Sequence, residues 1–80
     1  MIIKVLGPGC ANCHTLESRA REALQDLGLD ATVEKVTDYA AIAGYGIMRT
    51  PGLVVDEKVL VSGRVPATAE IRTLLTAAAG

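Results

Sequence analysis

The chain has no tryptophan and no phenylalanine, and only two tyrosines among 80 residues. So few aromatic rings argue against stacking platforms for single-stranded nucleic acid. It also has no basic run, and its net charge is −1. The electrostatic footprint of a nucleic-acid binder is therefore missing, and no nucleic-acid partner is expected. No apolar stretch approaches the ~20 residues of a membrane span, so no membrane partner is expected either. The opening Met1-Ile2-Ile3-Lys4 enters a strand-like run directly and has none of the marks of a signal peptide. A cytoplasmic protein is the resulting expectation. Cysteine is nearly absent too, and both copies fall in one tetrapeptide, Cys10-Ala11-Asn12-Cys13. In a reducing compartment such a pair serves catalysis or metal binding more often than it staples a fold.

What the chain does have is small aliphatic side chains. Half of its residues are hydrophobic, mostly Ala, Val, Leu and Ile. A single domain over residues 1–80 follows from the length. A chain of this size buries roughly 60–65% of its unfolded surface, enough for a modest core of thin helix-on-sheet layers.

Ile2-Ile3-Lys4-Val5-Leu6 is almost continuously apolar, which suits a central strand covered on both faces. Gly7-Pro8-Gly9 makes a turn, and the period then changes. Cys13, Leu16, Ala20, Ala23, Leu24 and Leu27 recur at helical spacing, with Gly28 as the stop. Residues 31–36 read as an edge strand. Asp38 is placed to cap a short helix over residues 39–43. Residues 53–55 and 59–61 form a hairpin around Asp56-Glu57-Lys58, although Glu is a poor residue for positive φ. Gly63 fits a bulge or the strand end. A last helix follows Pro66, started by Ala67 or Thr68, with Ile71, Leu74 and Leu75 inward. The expected order is β-α-β-α-β-β-α, an α/β fold. The first two strands are joined through a helix and should be parallel with a right-handed crossover.

In this layout Cys10 opens a helix directly after a strand. Helix N-termini favour anions, and the thiolate is the reactive form of cysteine. Cys13 lies on the buried stripe one turn later. The asymmetry suits Cys10 as the attacking thiol and Cys13 as the resolving one. A pair of inert thiols is the bland alternative. His14 lies four residues after Cys10, where it would face that thiol or simply be solvated. It also completes Cys-x-x-Cys-His, the c-type haem attachment motif, for which Met48 would be a second axial ligand. The short β-branched runs and scarce aromatics oppose that reading. Gly-x-x-Cys-x-x-Cys also suits a Cu- or Zn-binding ferredoxin-like domain. That fold requires β-α-β-β-α-β, and residues 39–43 and 71–79 read as helix instead. Glu34 is expected to be exposed or paired with Lys4. Ile47, Met48 and Val65 are candidates for an apolar rim near Cys10, with core packing the alternative for each.

Leu6-Gly7-Pro8-Gly9-Cys10-Ala11-Asn12-Cys13, Tyr45-Gly46-Ile47-Met48-Arg49-Thr50-Pro51 and Val61-Ser62-Gly63-Arg64-Val65-Pro66 together resemble the small thioredoxin-like redox-active disulfide proteins of bacteria and archaea. These are glutaredoxin-sized versions of the thioredoxin fold, and the resemblance covers essentially the whole chain. It implies a minimal thioredoxin fold, with a four-stranded mixed sheet in the order 2-1-3-4 and helices on both faces. It implies Cys10 as nucleophile, Cys13 as resolving thiol, and a cis Thr50-Pro51 bond whose backbone binds substrate. It further implies a disulfide reductase acting on protein or small-molecule disulfides, monomeric, with no cofactor and no metal. A separate thiol or flavin-dependent reductase would recycle it. The chain departs from ordinary thioredoxins in lacking Trp before the first cysteine and Gly-Pro between the two. It also lacks the glutathione-type Tyr within the motif, and Ala67 stands where a capping Ser is common. The Ala-Asn pair leads to an expected potential of roughly −200 to −280 mV. A redox-sensing module switched by the Cys10–Cys13 bridge is the non-enzymatic alternative.

Overall fold

The first strand, β1 (Ile2–Leu6), runs through the middle of the sheet, and Ile3, Val5 and Leu6 are all buried. Alternate residues of a strand face opposite ways, so burial of both Val5 and Leu6 requires cover on both faces. A computed structural model, describing residues 1–9 and 11–79, supplies that cover. Cys10 and Gly80 lie outside the described residues.

Helix α1 (Ala11–Leu27) buries Cys13, Leu16, Ala20, Ala23 and Leu24, the stripe expected from their spacing. It ends where Leu29 N–H donates to the Leu24 carbonyl at 3.0 Å, one residue past Gly28. The chain returns as β2 (Thr32–Val36), beside β1 and parallel to it. Helix α2 (Tyr39–Gly44) starts on Asp38, whose carboxylate accepts from Ala41 N–H at 3.2 Å. Strands β3 (Gly52–Val55) and β4 (Lys58–Ser62) form the hairpin, and α3 (Thr68–Ala79) closes the order.

The sheet runs β2-β1-β3-β4, with β3 antiparallel to both of its neighbours. Helices α1 and α3 cover one face. There Ile3, Val5, Leu53, Val55 and Val61 meet Leu16, Ala20, Leu24, Ile71 and Leu75. The α2 side holds a smaller cluster of Leu6, Ile42 and Val54. Burying a side chain of this size contributes about 1.5–3 kcal/mol, so the α1/α3 layer carries most of the stability. The order, pairing senses and helix on each face are those of the minimal thioredoxin fold. A ferredoxin-like metal domain is excluded, because α2 separates β2 from β3 and a helix follows β4.

The hairpin differs from its expected form. Lys58 belongs to β4, so the turn is the two-residue pair Asp56-Glu57, with φ of 47° and 68°. Two positive φ values define a type I′ turn, which matches strand twist but costs a non-glycine residue about 1–2 kcal/mol. Anchors from β1 and from the end of α2 offset that cost. Ile2 N–H donates to Asp56 Oδ1 at 2.8 Å, and Asp56 N–H donates to the Ile2 carbonyl at 2.9 Å. The Glu57 carboxylate accepts from Lys4 Nζ at 2.6 Å and from the Tyr45 hydroxyl at 3.1 Å. Lys4 also donates to Tyr45 Oη at 2.8 Å. Lys4 therefore reaches Glu57, although Glu34 is its register partner on β2; Glu34 is simply exposed. Leu60 has no partner across β3, which makes it a β-bulge, while Gly63 falls just past the end of β4.

The Lys4 hydrogen bond, followed by that from Tyr45, holds the Glu57 carboxyl below the usual carboxylate range. A folded value below the unfolded one adds stability that is whole above the unfolded pKa. That stability is lost as pH falls through the folded value. Glu57→Gln is therefore expected to melt lower than the parent protein at neutral pH. The two melting curves should converge as the pH falls through the folded value. A constant gap across that range, followed by thermal melts, would contradict the assignment.

Candidate functional site

The end of β1 is where the site is built. Gly7 N–H donates to the Val36 carbonyl at 2.9 Å, carrying the β1–β2 pairing one residue past the strand. Pro8 and Gly9 turn outward into solvent, and α1 then runs back beneath the sheet. Cys13, in the first turns of α1, is only 5% exposed.

Its sulfur fills a hollow that exists because residue 7 has no side chain. A Cβ built on Gly7 would overlap Cys13 Sγ outright, and would lie 3.4 Å from Cys13 Cβ. The same point is 3.8 Å from Thr50 Cβ. Cys13 and Thr50, far apart in sequence, thus flank a single glycine. The Thr50-Pro51 peptide bond is cis, Pro51 is buried, and its carbonyl accepts from Gly63 N–H at 2.9 Å. The β1–β3 ladder ends at the Leu6–Gly52 pair, which leaves the Thr50 backbone beyond the last paired residue.

The loop before Pro51 is anchored by Ile47. A Cβ on Gly52 would come within 2.7 Å of Ile47 Cδ1 and 3.5 Å of Leu6 Cβ, so glycine at 52 makes room for Ile47. Ile47 packs on the α2 cluster and Val65 on the α1/α3 cluster. Of the three rim candidates only Met48 is exposed, at 98%. His14 is exposed on α1. Among the described residues no group of three His, Cys, Asp or Glu side chains is placed to hold a metal.

The structure therefore brings together Cys13, Thr50 and Pro51, while Cys10 falls outside the described residues. Sequence reasoning took Gly7 for a turn residue and missed its contact with sulfur. The available signal was a glycine directly after a strand, three positions before the first cysteine.

A profile of thioredoxin domains matches residues 1–76. The chain belongs to the thioredoxin domain family. It is 43% identical over 76 residues to a thioredoxin of Methanothermobacter thermautotrophicus, an overlap of 95% of this chain and 99% of that protein. It is 33% identical over 72 residues to a thioredoxin of Methanocaldococcus jannaschii, covering 90% of this chain and 83% of that one. For a thioredoxin-family domain the sheet order and helix placement above are those the resemblance implied. No helix among the described residues is long and apolar enough to cross a membrane.

Proposed function

We propose that this thioredoxin-family protein is a thiol–disulfide oxidoreductase that reduces disulfides of protein substrates with Cys10 and Cys13. The observation that carries the reading is the seating of the Cys13 sulfur against Gly7, next to Thr50 and the cis prolyl bond. The Cys10 thiolate attacks one sulfur of the substrate disulfide, and the other sulfur leaves as a thiolate. Cys13, deprotonated, then attacks Cys10 Sγ and releases the second substrate thiol. A Cys10–Cys13 disulfide forms, and two electrons have passed to the substrate. The Thr50 backbone, lying past the end of the ladder, pairs with the substrate segment in the manner of an added strand.

No prosthetic group takes part in this scheme. A small thiol or a flavin-dependent reductase returns the two electrons, in a reducing compartment such as the cytoplasm.

Turnover tests the proposal. With excess dithiol as recycling reductant, the protein is expected to precipitate reduced insulin through many cycles per molecule, well above the dithiol background. Reaction of one equivalent only, without recycling, would replace the enzyme with a redox-sensing module.

A further inference from the structure

The loop that carries Thr50 to Cys13 also holds two exposed side chains, Met48 and Arg49. Met48 is 98% exposed, beyond any other large hydrophobic residue described. Arg49 beside it is also exposed, but not loose. Its stem lies over Gly63, where a Cβ would come 3.0 Å from Arg49 Cβ and 3.3 Å from Arg49 Cδ. Among the described residues no carboxylate pairs with it. Most of the other cations behave differently. Lys4 is held by Glu57, Arg21 and Lys35 by Glu17, Arg64 by Glu70, and Arg72 by Asp26. Arg19 donates to the Pro66 carbonyl. Lys58 also lacks a carboxylate, but it starts β4, at the opposite end of that strand from Gly63.

An apolar side chain left in water, next to a positive charge on a packed stem, has the composition of a contact surface; Met and Arg are both enriched at interfaces. We propose that Met48 and Arg49 select the protein reduced at this site: a segment whose reactive cysteine is followed by an acidic residue and then by an apolar one. The inference rests on the oxidoreductase function proposed above. The chain bends through Met48, Arg49 and Thr50, so a segment beside them is not held in ladder register. A segment that runs antiparallel with its cysteine beside Thr50 still leads toward Arg49 first and Met48 next, so the residues after the cysteine are the ones that meet the charge and the apolar side chain. The net charge of −1 gives the chain no general attraction for acidic segments, so the preference is local.

The test compares symmetric disulfide dimers of short peptides that differ at one residue. In one pair Asp or Lys follows the cysteine, with Leu next; in a control pair the same residue precedes the cysteine. Each kcat/KM is divided by the rate of reduction by dithiothreitol alone. The protein is expected to favour Asp over Lys after the cysteine by about fivefold at low salt, the upper range for an exposed charge pair. The preference should fade in high salt, where the screening length shrinks to about 3 Å. It should be absent in the control pair. Arg49→Lys keeps the preference, Arg49→Glu reverses it, and Met48→Ser raises KM for both peptides. Turnover of both peptides without an Asp preference, or a preference that survives Arg49→Glu, would overturn the specificity and leave the oxidoreductase standing. Failure to reduce any of the peptides, or insulin, would remove both.

Discussion

Gly7→Ala is expected to slow disulfide turnover on the order of 10²-fold, the scale set by misplacing a reacting group by about an ångström. The added methyl group claims the space the Cys13 sulfur occupies, with Cys13 Cβ 3.4 Å away and Thr50 Cβ 3.8 Å away. Gly7 does not occupy the left-handed region, so alanine is conformationally allowed and the effect is one of volume. Either the sulfur swings out or the end of β1 moves away from α1, and both outcomes take it from its seat beside Thr50. Overpacking of this kind costs about 1–3 kcal/mol, so the variant should melt lower while still folding. Comparison with a variant of similar melting temperature separates lost positioning from lost stability. Gly7→Ala with full turnover would mean that the sulfur has another seat.

The second large effect divides the two cysteines. Cys10→Ser should lose insulin reduction entirely, because the attacking thiol is gone and the remaining one, Cys13, is buried. Cys13→Ser should also stop turning over, but by accumulating a mixed disulfide between Cys10 and the substrate. Mass spectrometry of the trapped species gives the attachment site. The burial of Cys13, at 5% exposure, is the physical reason for this division: a buried sulfur is closed to an incoming protein disulfide. A mixed disulfide collecting on Cys13 in the Cys10→Ser variant would reverse the roles.

Local patterns account for what could be read from the chain alone. The stripe from Cys13 to Leu24 predicts α1 because helical spacing and burial coincide there. The near-continuous apolar run of β1 announces a strand covered on both faces, and Asp38 marks the start of α2 by its own hydrogen bond. Features that depend on distant residues could not be read in this way. The Asp56-Glu57 turn is unfavourable on local grounds, and it stands because Ile2, Lys4 and Tyr45 hold it. Lys4 has two acidic residues within reach of a sequence argument, Glu34 and Glu57, and only the fold decides between them. Gly7 reads as a turn residue until Cys13 and Thr50 are placed against it. That no carboxylate among the described residues pairs with Arg49 becomes visible only after the other cations have been assigned their partners.

The most direct measurement is a redox titration of the metal-free protein in glutathione or dithiothreitol buffers, scored by alkylation of the two thiols. A reversible two-electron transition is expected, with Cys10 and Cys13 protected together and a midpoint at roughly −200 to −280 mV. Thiols that stay alkylatable across the whole range, or that are protected one without the other, would contradict a dithiol at this site.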